Sequence, residues 1–202
     1  MANTVTISSA EELSRYKTTI LSNLRKSVQD IKAMIDSEDA QEIFKHFKFD
    51  KIATEPLSGK PENLVEVINQ SQTYFVTLAA TEYLLSHYPE KSFLLNWGNV
   101  SGYDIESTDG EIIAECFAAT SYRSNGKLTA DLKRLFGDRT AARKYEFFYA
   151  CDFSDTSKKY IVYMPENKKG RHSKKSDGHD VPGKWFVPHF RAYLKSPIPS
   201  SF

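Results

Sequence analysis

The sequence predicts an α/β domain, a mixed central β-sheet flanked by helices and preceded by a long N-terminal helix. Three observations carry this. Two long stretches place apolar residues at three- and four-residue steps, the pattern then shifts after Pro89 to short apolar runs broken by turn residues, and helical spacing returns before a last aromatic-rich run. A chain of 202 residues with 40% hydrophobic and 13% aromatic content fills one core, so residues 1–202 read as a single domain. Within it, 1–50 form a helical region, 62–164 the core, and 165–202 a basic loop and C-terminal segment.

The elements follow in order. From Ser9 to about Ile35, Leu13, Ile20, Leu24, Val28, Ile31 and Ile35 share a helical stripe, and Ser9 with Glu12 three residues on forms a capping box. Lys51 to Pro61 holds Pro56, Gly59 and Pro61 and reads as a loop. Glu62 to His87 is a second helix, with Glu66, Asn69, Gln70 and Thr73 on the polar side of its first turns. Ser92–Trp97 and Gly102–Glu106 are strand material leading to a turn at Thr108, Asp109 and Gly110. Glu111–Ala118 then forms a strand with Ile112, Ala114 and Cys116 on one face and Ile113, Glu115 and Phe117 on the other. Lys127–Phe136 is helical with Gly137 as its expected C-cap. Tyr145–Phe153 (YEFFYACDF) reads as a strand covered on both faces, and Lys159–Met164 as a further strand.

Charge is segregated along the chain. Ser157 to Lys195 carries ten Lys/Arg against three acids, while the net charge of the whole is +1, so an acidic remainder faces a basic segment. That division suits a protein with one surface turned towards a polyanion. Arg123 to Lys144 adds a second basic cluster, seven Lys/Arg against two Asp. No apolar stretch reaches the roughly 18 residues of a membrane span, and the amino terminus is polar. Cys116 and Cys151 lie in apolar runs and read as buried thiols of a reducing compartment, so the cytoplasm is the expected location and no membrane the expected setting. Phosphate-binding glycine loops, nucleophile elbows and HExxH are missing from the sequence, which leaves P-loop ATPases, serine hydrolases and zincins without support.

The residues that point to chemistry are Asp104 and Glu115, acids on consecutive strand segments joined by a short hairpin. An ionised carboxylate in an apolar strand (IIAECFA) is expensive to bury unless something compensates it. A divalent cation would do so. Mg²⁺ takes oxygen ligands, uses one or two protein carboxylates, and leaves places for water and phosphate, which is the arrangement that activates water against a phosphodiester.

Gly102-Tyr-Asp-Ile-Glu, the turn, and Glu111-Ile-Ile-Ala-Glu-Cys-Phe-Ala resemble the paired strands of the PD-(D/E)XK, or restriction-endonuclease-like, nucleases. In that family an acid near the start of the hairpin is followed by (D/E)-x-K on its second strand. A helix bearing a glutamate precedes the hairpin, matched here by Glu66, and a helix and apolar strand follow it. No proline precedes Asp104, and Phe117 stands where the family places lysine. The resemblance implies a restriction-endonuclease-like core and a Mg²⁺-dependent endodeoxyribonuclease of type II restriction character, acting on double-stranded DNA as a homodimer. It assigns Asp104 and Glu115 to the metal, Lys127 to the water or phosphate in place of the missing lysine, and Glu66 to the catalytic set, either behind the metal ligands or as a ligand of a second metal ion. Lys133 is the second choice for the lysine's role and Arg143 or Lys144 more distant ones.

Contacts to DNA are expected from Arg123 and Lys133 in the second basic cluster and from Arg171, His172, Lys174 and Lys175 on the loop Asn167–Asp180. Trp185 and Phe186 read as anchors of the C-terminal segment. Two other readings compete: a non-catalytic nucleic-acid-binding protein that keeps this fold, and an enzyme of another kind built on Glu66, Asn69 and Gln70.

Overall fold

The computed structural model describes residues 4–36, 39–98, 100–121 and 126–150. The expected strand Lys159–Met164, the basic loop 167–180 and the Trp185–Phe186 anchor lie outside the described residues, as do Arg123 and Cys151.

The chain opens with a strand, β1 (Thr4–Ile7), and the long helix α1 (Ala10–Ile35). The Ser9 hydroxyl caps α1 by accepting from Glu12 N at 3.2 Å. Glu12 answers one residue earlier than a capping box requires, its Oε2 accepting from Ser8 N at 2.7 Å. A second helix, α2 (Ala40–Phe49), follows, and β2 (Ala53–Thr54) and β3 (Pro61–Glu62) pair across the proline-containing loop. Neither β1 nor α2 was expected as a separate element. Helix α3 (Leu64–His87) starts at Asn63, whose side chain accepts from Glu66 N.

Three antiparallel strands come next: β4 (Phe93–Asn96), β5 (Ile105–Ser107) and β6 (Ile112–Ala119). Helix α4 (Lys127–Gly137) then crosses to β7 (Arg143–Ala150), which runs parallel to β6. Gly137 is the last residue of α4 rather than its cap. The cap is Asp138, in extended backbone, whose carboxylate accepts from Thr140 N and Ala141 N and so folds the chain directly towards β7.

The main sheet has the order β1-β4-β5-β6-β7, a mixed five-stranded sheet. Alternation along its strands sorts side chains to two faces. On one, Phe93, Leu95, Ile105, Ile112, Ala114, Cys116, Tyr145 and Phe147 pack with Leu13 and Ile20 of α1 and with Tyr74, Leu78 and Leu84 of α3. On the other, Ile113 meets Leu135 of α4, while Phe117 and Phe148 stack with ring centroids 5.2 Å apart beneath Leu128. The molecule is therefore layered, with α1 and α3 on one side of the sheet and α4 on the other. No helix of the described residues is long and apolar enough to cross a membrane.

Leu84 is fully buried whereas Val28, on the expected apolar stripe of α1, is 64% exposed. Leu84→Ala is expected to lower unfolding free energy by about 2–5 kcal/mol. Val28→Ala should change it by less than about 0.5 kcal/mol. Urea denaturation followed by circular dichroism measures both.

Candidate functional site: a row of carboxylates beneath a helix

The site follows from strand register. In the β5–β6 pairing Ile105 faces Ala114 and Glu106 faces Ile113. Carried one residue further, the same register sets Asp104 opposite Glu115. On the other edge of β6, Glu115 is the register partner of Glu146 in β7. Three acids thus stand side by side on neighbouring strands, all on the face covered by α4, at the roughly 4.8 Å spacing of a sheet. From α4 come Lys127, Asp131 and Arg134, on one helical face by their spacing.

Asp104 lies just before β5 rather than within it, and is half-buried. Its carboxylate Oδ2 accepts from Cys116 N at 2.7 Å, and its carbonyl accepts from Asn96 N at 3.0 Å. The turn that delivers it is tightly held. Gly102 sits at φ +119°, where a Cβ would come within 2.8 Å of Asn96 Nδ2. That same amide nitrogen donates to Tyr103 O at 2.7 Å. A side chain at Gly102 would be strained by its own backbone and would strike the group that fixes the turn.

Glu115 is 1% exposed. Arg134 Nη1 reaches its Oε1 at 2.7 Å, an ion pair that is not aligned as a hydrogen bond. The same guanidinium lies 4.7 Å from the centre of the Tyr103 ring and donates to Gly102 O, so it spans both strand ends of the site. Burial pushes the Glu115 carboxyl well above the ordinary range. The nearby charge of Asp104 raises it further, Arg134 pulls it down, and a hydrogen bond with Asp104 raises it again.

Glu146 is also 1% exposed, and neither of its oxygens has a hydrogen-bond partner among the described residues. Burial drives its pKa from 4.5 to about 10, with Asp131 and Glu115 adding to the rise and Lys127 opposing it. Asp131 is raised too, first by burial. Lys127 holds Asp131 Oδ1 at 2.7 Å, leaving Oδ2 without a donor among the described residues. Among the described residues, four acids, three of them with a carboxylate oxygen that accepts no hydrogen bond, thus face two cations, Lys127 and Arg134. Cys116 points to the other face, its thiol pushed up by burial.

The sequence-predicted residues separate accordingly. Asp104, Glu115 and Lys127 are gathered beneath or beside α4. Glu66 is exposed in the first turn of α3, in the layer on the far side of the sheet, and makes no side-chain bond to either acid. Lys133 is exposed on α4. Lys144 is buried and donates to Asp138 O, and Arg143 lies over the Tyr88 ring, so both serve the fold. Arg171, His172, Lys174 and Lys175, like Arg123, lie outside the described residues. Glu146 and Arg134 are what sequence reasoning missed or passed over. The signal for Glu146 was available, since an acid inside YEFFYA is as anomalous as one inside IIAECFA.

Hard oxygen donors in adjacent pairs suit a divalent cation such as Mg²⁺, and the orphaned buried oxygens are atoms such an ion would satisfy. Among the described residues no three His, Cys, Asp or Glu side chains converge on a single point, so water or substrate oxygens would complete any coordination shell. Comparison with protein-family models, curated proteins and solved structures returned no match.

The direction of the Glu146 shift sets a pH dependence. Between 4.5 and about 10 the native state keeps a proton that the unfolded state has lost. Unfolding free energy therefore falls as pH rises through that window. Glu146→Gln removes the dependence, so the variant should gain on the parent steadily from pH 5 to pH 9. Urea midpoints at three pH values check this, and a constant difference would refute it.

Proposed function

We propose that this protein is a Mg²⁺-dependent endodeoxyribonuclease of the PD-(D/E)XK kind, cutting double-stranded DNA as a restriction enzyme. The observation that carries the reading is the placement of Asp104 opposite Glu115 on the α4 face, with cations supplied from α4. The element sequence supports it as well: a helix, three antiparallel strands, a crossing helix and a strand parallel to the third.

Asp104 and Glu115 would hold the ion, which lends charge to the scissile phosphate and acidity to its bound water. Cys116 N orients the Asp104 carboxylate. Phe117 cannot contribute the family's lysine, because its ring is stacked on Phe148 beneath Leu128. The cation that reaches Glu115 is Arg134, and Lys127 stands two turns earlier on the same helix. A planar guanidinium presents several donors to phosphate oxygens, so Arg134 suits contact with the scissile group once the metal takes over its pairing with Glu115. Homodimerisation belongs to the same proposal, because double-strand cleavage at a two-fold site takes two active sites.

One observation favours a second reading. The Glu115–Arg134 ion pair gives the buried acid a partner without a metal, and a fold retained only for binding would look the same there. Plasmid DNA separates the two. The nuclease reading predicts cleavage only with Mg²⁺, lowered by about a hundredfold or more in Asp104→Ala and Glu115→Ala, as loss of several kcal/mol of transition-state stabilisation implies. Arg134→Ala should slow cleavage more than Lys127→Ala. DNA retention in gel shifts without cutting, unchanged in both acid variants, would establish the binding-only reading.

A further inference from the structure

The outer edge of β1 is open among the described residues, and strand register shows which groups it presents. Asn96 N donates to Asp104 O at 3.0 Å and Thr108 N to Ser92 O at 2.9 Å, so residues 92, 94 and 96 turn their backbone groups towards β5. Bonding sides alternate along an antiparallel strand, which leaves Phe93 and Leu95 to bond β1 through their register partners Ile7 and Val5. Thr4 and Thr6 therefore point their N–H and C=O groups away from the sheet, and neither makes a backbone bond there with a described residue. The 2.7 Å bond from the Thr4 hydroxyl to Asn96 Oδ1 agrees, because side chains approach most closely across a non-hydrogen-bonded pair. Ser8 is next on the outward side, and its N–H is taken by Glu12 Oε2 at 2.7 Å. Thr6 has no such partner. It opens onto a groove of about 330 Å³ lined by Thr6, Glu12, Arg15, Tyr16 and Thr19. Sheets blunt such edges with lysine, proline or an inward charge, and β1, Thr-Val-Thr-Ile, has none of these.

We propose that two copies of the chain join here, β1 pairing antiparallel with β1 of the second copy about a two-fold axis at Val5, so that their sheets run on as one. The free groups fix this register. Thr4 opposite the partner's Thr6, with the reverse pair beside it, uses every open N–H and C=O of these threonines, whereas Thr6 opposite itself would call on the Ser8 N–H that Glu12 holds. The segment suits its own copy in particular. Thr-Val-Thr reads the same in both directions, so a two-fold axis sets threonine against threonine and valine against valine, β-branched pairs that favour a sheet. Val5, half-buried against the core, then lies on the axis beneath the two α1 helices. The α1 surface beside the edge carries both signs, with Glu12 in the groove and Arg15 bound to Glu11 at 2.8 Å. The same surface on a second copy running the other way offers acid to base.

This junction gives the homodimer proposed above its surface and rests on that reading, and chain stoichiometry separates the two. Sedimentation velocity of the full chain at micromolar concentration, without DNA, should show two chains per particle for the parent. Thr6→Lys and Thr6→Glu each set like charges across the axis, on a side chain that is exposed in the single chain, and should weaken the dimer about tenfold or more. An equimolar mixture of the two variants should recover it, which only folded chains with opposite charges across the axis can do. Thr6→Pro, which deletes an outward N–H and no bond to β4, should also sediment as single chains. Thr6 variants as dimeric as the parent, or Lys and Glu variants whose mixture stays monomeric, overturn the junction and leave dimerisation to another surface. A parent that remains a single chain overturns the homodimer as well. Plasmid cleavage is scored apart from all of these, so the nuclease reading does not hang on the outcome.

Discussion

The parallel pairing of β6 with β7, continuous from Ile112 opposite Arg143 to Ala119 opposite Ala150, is the constraint on which the site depends. It requires a crossover, and α4 is that crossover, so the helix carrying Lys127, Asp131 and Arg134 is laid over the face where Glu115 and Glu146 stand. Burial and acidity then arise together. The helix removes the carboxylates from water, which raises the cost of their charge, and its own Lys127 and Arg134 lower that cost. Leu135 on Ile113, and Leu128 over the Phe117–Phe148 stack, keep α4 in place, so apolar contacts at either end hold a polar centre closed.

Where local chemistry decides the structure, the sequence was readable. Ser9 and Glu12 mark the start of α1 through one hydrogen bond each, and the alternation in Ile112–Phe117 gives both faces of β6. Asp104 and Glu115 could be singled out because the energetic anomaly of Glu115 is visible in its own strand. What could not be read was company. Whether Glu115 meets Lys127 or Arg134 depends on how far α4 slides along the sheet, and Glu146 becomes its neighbour only through a pairing between segments thirty residues apart. The short β1, four residues long, carries too little pattern to stand out, and it exists because β4 offers it an edge. Gly137 misled for a related reason: the Asp138 side chain satisfies the following backbone, and no left-handed cap is needed. Glu66 was matched by its place before the hairpin, but order along the chain does not say which side of the sheet a helix covers.

The electrostatics of the centre differ from those of the periphery. Lys91, gripping Asp109 and Glu111 at the β5–β6 turn, holds the Asp109 carboxyl far below its ordinary range, chiefly through the Lys91 hydrogen bond with help from Ser107. There charges are satisfied and remain charged. In the row beneath α4, burial outweighs the two cations at Glu115 and Glu146, and pushes both carboxyls well above their ordinary range. The same residue type is a surface clasp in one place and a poised, under-compensated group in the other, and the difference is the dielectric above it.

Asn96 ends β4 with three attachments. Its side chain accepts from the Thr4 hydroxyl at 2.7 Å and donates to Tyr103 O at 2.7 Å, and its backbone N–H donates to Asp104 O at 3.0 Å. One amide therefore ties Thr4 of β1 to the turn that aims Asp104. The edge strand β1, remote from the carboxylates, works as an anchor for their geometry, and whatever is fused to or trimmed from the amino terminus acts on the far end of that tether.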